Sequence, residues 1–494
     1  MQKRYITTAI PYVNADPHIG FALELIQTDV MARFFRRVLG RTNVHALTGS
    51  DENSLKNVQA AEAAGEDIAS FVESHAKAFQ DLQPMLNLSF NDFIRTRENR
   101  HLEGAKKLWS ACRPEDIYKK QYTGLYCVGC EAFYTPKEVP DDVCPEHKKP
   151  LEKIEEKNYF FRLSAYQQQI EKLIESDTLS ILPESRKNEV LNFVRQGLED
   201  FSISRSQERA KHWGVDVPGD PTQVMYVWFD ALSNYITALD YAKNGELYKT
   251  FWNSSECKKI HMIGKGILRF HAVYWPAILL SAGLSLPQEI FVHDYVTING
   301  EKISKSIGNV IHPQALVSEY GTDAVRYYFL REMPSSGDGD YSKERMELRY
   351  AELANQLGNL VSRVAAMSCK YFKGEVGLSD QDFTGINIEL TELMQKYDFK
   401  KYLDRVFDVI GQANEIIDKK APFKLVKTDE AGAKEILANV AEMIRFAGNA
   451  LIPIIPAAAE EIIRRYSKQK ILEGEALFPR RDTASLNQNS ALDH

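Results

Sequence analysis

Tyr5-Ile6-Thr7-Thr8-Ala9-Ile10-Pro11-Tyr12-Val13-Asn14-Ala15-Asp16-Pro17-His18-Ile19-Gly20 opens the chain and decides how the rest is read. Residues 5–13 are rich in Thr, Ile, Val and Tyr, the composition of a buried strand. Asp16-Pro17 reads as a helix N-cap with proline at the first helical position. Ile26, Val30, Phe34 and Val38 recur every fourth residue, so they share one helix face, and Gly40 ends the run. Residues 43–48 read as a second strand that leads into Gly49-Ser50-Asp51. Strand, helix, strand in that order predicts an α/β fold built on a doubly wound parallel sheet.

Working outward, the texture changes between residues 118 and 151, where Cys127, Cys130, Cys144 and His147 stand among turn-forming and charged residues. That stretch reads as an insertion. Strand-like apolar runs return at 226–228, 261–264 and 289–292, with an apolar helix over 268–280, so the sheet resumes after the insertion. Asn299-Gly300 between two short apolar runs is a two-residue hairpin signal. Beyond Arg345 strand signals fade. Leu353, Leu357, Leu360 and Val364, then Val440, Ile444 and Leu451, follow a helical period. The division expected is 1–116 and 225–295 for the two halves of the sheet domain and 117–224 for the insertion. A loop and contact region follows over 296–348, a helical domain over 349–480 and a flexible tail over 481–494.

Composition narrows the classes. Hydrophobic residues at 44% and charged residues at 26% belong to a globular chain, and 494 residues suggest roughly three domains. No apolar run reaches the roughly 18 residues a membrane span needs. The start, Met1-Gln2-Lys3-Arg4-Tyr5, carries no signal-peptide core, and six cysteines do not make a disulfide scaffold. A cytoplasmic protein is expected. The net charge of −7 gives no support to an indiscriminate nucleic-acid coat and leaves room for a local basic patch.

Three groups of residues carry chemistry. Pro17-His18-Ile19-Gly20 falls at a helix N-terminus, where free N–H groups, the positive dipole end and His18 suit a triphosphate. On its own the tetrapeptide is a weak signal and reads more readily as a histidine capping a helix. Lys302-Ile303-Ser304-Lys305-Ser306 follows the hairpin, and two lysines in a small-residue loop can hold phosphates as mobile point charges. Taken alone that loop is also a solvated basic turn. Cys127-x-x-Cys130 and, further on, Cys144-x-x-His147 bring four soft ligands to one tetrahedral ion and leave no open position, the pattern of a structural Zn2+ site.

The first two groups, in this order at the two ends of a split sheet, resemble the HIGH and KMSKS motifs of class I aminoacyl-tRNA synthetases. Within that class the finer resemblance is to the methionyl-tRNA synthetase family, and it covers nearly the whole chain. Ala9-Ile10-Pro11-Tyr12, Thr48-Gly49-Ser50-Asp51-Glu52, Val227-Trp228-Phe229-Asp230-Ala231, Ile263-Gly264-Lys265 and Arg269-Phe270-His271 are similar to its segments. The resemblance implies a Rossmann-type catalytic domain and a helical anticodon-binding domain. It implies activation of L-methionine with Mg2+-ATP to methionyl-adenylate, then transfer to initiator and elongator tRNA(Met) with a CAU anticodon. By similarity, Ile10, Tyr12, Trp228, Ala231, Tyr235, Ile267 and His271 line the methionine side-chain pocket and Asp51 takes the ammonium group. His18, Gly20, Phe21, Gly264, Lys302, Ser304 and Lys305 form the ATP site, with His18, Lys302 and Lys305 catalytic. Arg205 falls near the nucleotide and the tRNA acceptor end. Asn359, Arg363, Pro422 and Phe423 match positions that read the anticodon.

Four positions depart from the family pattern. Phe21 stands for the second His of the first motif, Ile303 for Met, Gly266 for an Asp after Gly-Lys, and Phe423 for Trp. Ile303 keeps an apolar anchor and Phe423 keeps a stacking ring. Phe21 removes a phosphate donor and Gly266 a carboxylate. No large editing insertion is seen, and a monomer is expected.

Overall fold

The computed structural model describes residues 2–127, 132–134, 139, 141–145, 148–303, 308–334 and 336–481. It divides into two compact units: Met1–Tyr295 with Ser304–Pro313, and Val296–Ile303 with Gln314–His494.

The first unit is built on six strands: β1 (Lys3–Thr8), β2 (Val44–Ser50), β3 (Asp92–Arg95), β4 (Ser180–Leu182), β5 (Cys257–Gly264) and β6 (Glu289–His293). They lie in the order β3-β2-β1-β5-β6-β4, and every neighbouring pair is parallel. A parallel sheet must be covered on both faces, which is why β2 is buried along its whole length and β5 along most of it. Helix α1 (Ile19–Leu39) packs against β1 and β2. Tyr5, Leu47, Ile94, Trp109, Trp252 and Trp275 belong to one large buried cluster. The order of winding reverses between β1 and β5, so a crevice opens there at the carboxyl ends of the strands.

The stretch between the two halves of the sheet holds the long pair Ile117–Cys127 and Glu152–Phe161, antiparallel over ten registered residues. It also returns a strand, β4, to the edge of the main sheet. Three expectations need correction. Strand β1 ends at Thr8, not Val13, because the chain leaves the sheet there, with Asp51 N–H donating to Pro11 O at 2.8 Å. Helix α1 starts at Ile19 with His18, not Asp16, as its cap. Residues 226–228 are not a strand: Asp220–Met225 is the strand, in a separate antiparallel sheet, and a short helix follows at Val227–Leu232. A short buried apolar run fits either state by periodicity alone.

In the second unit Val296–Ile298 and Glu301–Lys302 form the expected hairpin. Asn299 (φ 55°) and Gly300 (φ 76°) both take positive φ, as a type I′ turn requires. Asp340 Oδ1 holds the turn, accepting from Gly300 N–H at 2.8 Å and Thr297 Oγ1 at 2.7 Å. Helices Asn359–Phe372, Phe399–Lys420, Glu430–Leu451 and Pro456–Arg465 follow. Their core includes Leu360, Val364, Leu403, Val406, Ile410, Val440 and Ile444, all 1% exposed or less. Among the described residues no helix is long and apolar enough to cross a membrane.

Candidate active site

His18 ends the loop that leaves β1 and caps α1. Its Nδ1 accepts Gly20 N–H at 3.1 Å, so the neutral ring carries its proton on Nε2, a donor this bond leaves unused. Burial, and then the charge of His312, push its pKa below the ordinary histidine range and keep the ring neutral. A Cβ on Gly20 would stand 2.9 Å from His18 Cε1, so glycine is what lets the ring fold over the helix start. The free N–H groups expected at this terminus are bonded instead. Ile19 N–H donates to Ile311 O at 3.1 Å, and Phe21 N–H to His18 O at 3.0 Å. The peptide following the lysine loop is thus laid on the helix start, and His312 Nδ1 lies 3.2 Å from Pro17 O. Phe21 turns its ring edge-on to Phe79, 5.3 Å between centroids, and offers apolar packing rather than a donor.

Beside this crevice an aromatic pocket gathers residues from distant parts of the sequence. Tyr12 meets Trp228 edge to face at 6.5 Å, and Trp228 stacks flat on Phe270 at 3.8 Å with 7° between planes. Trp228 also lies edge-on to His271 at 6.3 Å. His271 Nδ1 faces Ile267 O at 2.9 Å and must donate, so Nε2 accepts the Tyr235 hydroxyl at 2.7 Å. Burial lowers the His271 pKa to about 4 against the opposing Ile267 bond, so the pocket carries no histidine charge at neutral pH. Asp51, 2% exposed, sits beside Tyr12 through a parallel bridge. Ala231 is buried on the same short helix as Trp228, and Ile10 packs on the neighbouring apolar cluster. Uncharged aromatic walls with a carboxylate beside them suit an apolar, polarisable side chain attached to an ammonium group.

Gly264 ends β5 at the same end of the sheet. Next to it stands a pair that sequence reasoning missed. Glu24 Oε1 accepts Ala9 N–H at 2.8 Å, and its Oε2 lies 2.9 Å from His293 Nε2. Burial opposes charge on His293, yet the Glu24 bond and carboxylate prevail and raise its pKa. Glu24 reads in the sequence as one more residue of an amphipathic helix, and only its 5% exposure marks it out. Gly266 has a local reason too: a Cβ there would come within 2.3 Å of the Tyr295 hydroxyl. A second buried carboxylate of that neighbourhood, besides Glu24, is Asp294, bonded to Arg186 and 3.8 Å from Lys265 Nζ.

The other expected residues lie on other elements of the chain. Lys302 is exposed at the end of the hairpin in the second unit, and Ser304 and Lys305 lie outside the described residues. Arg205 is 5% exposed and stacks its guanidinium on Tyr126 at 4.3 Å and Tyr226 at 5.0 Å. In the helical unit Arg363 pairs with Asp418 at 2.8 Å. Asn359 stands one turn before it at the helix start. Pro422 is buried, and Phe423 next to it is 41% exposed.

For the expected zinc site, Cys130 and His147 lie outside the described residues. No metal-binding group of three is present among the described ones. The two described candidates, Cys127 and Cys144, are both buried. Cys127 ends the long strand with 5% exposure, and Cys144 is fully buried. Cys144 sits in a turn closed by its N–H to Lys149 O and by Lys148 N–H to its own carbonyl, both 2.9 Å.

Comparison with known proteins decides the family. The family model described as tRNA synthetases class I (M) matches residues 4–151 and 146–365. The chain belongs to the class I methionine–tRNA ligase family. It is 42% identical over 479 residues to the methionine–tRNA ligase of Brucella suis biovar 1, covering 94% of this chain and 91% of that one. It is 39% identical over 515 residues to the corresponding ligase of Clostridium acetobutylicum, covering 97% and 78%. Among solved structures, Mycobacterium tuberculosis methionyl-tRNA synthetase in complex with methionyl-adenylate superposes with a TM-score of 0.91. That pair shares 38% identity over 97% of this chain and 100% of the other. The helical C-terminal unit falls within this likeness, although the family model stops at residue 365.

Proposed function

We propose that this protein activates L-methionine with ATP and transfers the methionyl group to tRNA(Met). The observation that carries the reading is the pocket of Tyr12, Trp228, Tyr235 and neutral His271, with Asp51 beside it, at the carboxyl end of the sheet. In the first step the methionine carboxylate attacks the α-phosphate and pyrophosphate leaves. In the second a hydroxyl of the terminal tRNA ribose attacks the adenylate carbonyl and AMP leaves. Neither step needs a covalent enzyme intermediate, so catalysis is positioning and charge stabilisation.

Asp51 takes the ammonium group, and the pocket takes the thioether against its rings. A pocket of this kind separates side chains differing by one methylene by about 1–3 kcal/mol. The Nε2–H of His18 donates to a phosphate oxygen. Lys302 and Lys305 are assigned to the charge that develops on pyrophosphate, and Mg2+ enters with ATP as part of the substrate. Gly20 and Gly264 belong to the nucleotide side of the crevice. Cys127, Cys130, Cys144 and His147 would hold one Zn2+, which supplies order to the inserted sheet and takes no part in either step. Asn359, Arg363, Pro422 and Phe423 are assigned to the CAU anticodon, Phe423 by stacking. The protein is proposed to act as a monomer in the cytoplasm.

ATP–pyrophosphate exchange tests the reading. It should depend on methionine and fail with leucine, valine and cysteine, and the purified protein should then charge tRNA(Met). Exchange supported best by another amino acid would refute it.

A further inference from the structure

Behind the amino-acid pocket a chain of buried polar groups crosses three elements. His101 lies on the helix Asn99–Ala111 and is fully buried. Its Nε2 is 2.8 Å from Asp230 Oδ1 and its Nδ1 is 2.9 Å from Thr237 Oγ1. Asp230, 1% exposed, stands on the short helix Val227–Leu232, two residues after Trp228 and next to Ala231. Its other oxygen accepts Asn53 Nδ2–H at 2.7 Å. Asn53 N–H in turn donates to Asp51 Oδ1 at 3.2 Å, and Asn57 Nδ2 donates to Asp51 O at 2.9 Å. Asn53 is also tied to Thr96 O at 3.2 Å, in the loop that leads into the His101 helix.

Stability alone does not account for this arrangement. A carboxylate taken fully out of water loses its hydration, and a buried polar pair is often no more stabilising than well-packed apolar residues of the same volume. What the chain does achieve is a fixed relation between its ends. One end bears Asp51 and the other bears Trp228 and Ala231. Hydrogen bonds with defined directions set that spacing more sharply than apolar contacts, which tolerate sliding.

We propose that His101 and Asp230 are positioning residues for methionine. Through Asn53 they hold the Asp51 loop and the Trp228 wall at the one separation that admits an α-ammonium and its thioether side chain together. The proposal rests on the methionine reading above. Neither residue touches the substrate. Both act through the groups they hold.

The test is ATP–pyrophosphate exchange with the full chain, measuring KM for methionine and for ATP separately. His101→Leu removes the bond to Asp230, whereas His101→Gln keeps an N–H within its reach. Loss of a hydrogen bond to a buried charge corresponds to roughly tenfold or more, so His101→Leu should raise the methionine KM by about that factor. The ATP KM should stay within about twofold of wild type, and His101→Gln should restore most of the methionine KM. Asn53→Ala breaks the chain from the other side with little loss of volume and should shift the methionine KM in the same direction. It decides the matter if His101→Leu does not fold. Soluble variants with a wild-type methionine KM would overturn the proposal, as would methionine and ATP KM values that rise together. A wild-type chain with no methionine-dependent exchange would refute the functional reading instead.

Discussion

His271 makes the stability of the first unit depend on pH in a way that can be worked from the structure. An exposed histidine titrates near 6.5, and burial lowers His271 to about 4. The folded state therefore prefers the neutral ring. Its contribution is fully present above the unfolded value of about 6.5 and is lost as pH falls from there towards about 4. The whole difference, about 2.5 pH units, corresponds to about 3 kcal/mol, of which about 2 kcal/mol is lost by pH 5. His45, also lowered by burial to about 4, adds a similar dependence, so the wild-type profile alone cannot isolate His271. The comparison with His271→Gln can, because glutamine does not titrate and its carbonyl can accept the Tyr235 hydroxyl. All five tryptophans, Trp109, Trp213, Trp228, Trp252 and Trp275, lie in the first unit, so their fluorescence follows its unfolding alone. Urea unfolding at pH 7.5 and pH 5 should show wild type losing about 2 kcal/mol more than the variant over that interval. Equal losses in the two proteins would refute the reasoning, because a neutral, desolvated His271 could not then be what the pocket holds.

Three further outcomes are expected. Lys305→Ala should lower the rate of pyrophosphate exchange about a hundredfold or more while leaving methionine affinity near wild type, since its charge matters in the transition state; unchanged exchange would remove it from the reaction. Protein purified without chelators should carry about one zinc per chain by elemental analysis, and Cys144→Ala should lower both the metal content and tRNA charging. Phe423→Ala should weaken selection of tRNA(Met) by about one to two orders of magnitude through lost base stacking, and Arg363→Ala should act likewise. Both should spare exchange, which needs no tRNA, and identical charging of tRNAs with CAU and altered anticodons relative to wild type would exclude this helical unit from anticodon reading.

The strand, helix, strand opening and the helical period beyond Arg345 were legible because both are local: side-chain spacing of two or 3.6 residues is written directly in the chain. The motifs around His18 and the lysine loop were legible for the same reason, and so was the Asn299-Gly300 turn, whose positive φ values few other residue pairs accept. Boundaries were less so. Residues 226–228 are apolar in a way that fits a strand or a buried helix, and only packing chose the helix. The tautomer of His18 was not legible at all, because it depends on Gly20 N–H meeting Nδ1. Nor was the loss of a free N–H at Ile19, which pairs with a carbonyl from residue 311. Glu24 with His293, and His101 with Asp230, join residues far apart in sequence and look like ordinary members of their helices and strands until the sheet is assembled. The physical reason is the parallel sheet itself. Each crossover returns the chain in the same direction, so segments distant in sequence end side by side at one edge, and the charges, tautomers and spacing of the site arise from those neighbours. The sequence by itself determined which elements form and which residue types reach that edge. The tertiary structure alone decided which of them meet.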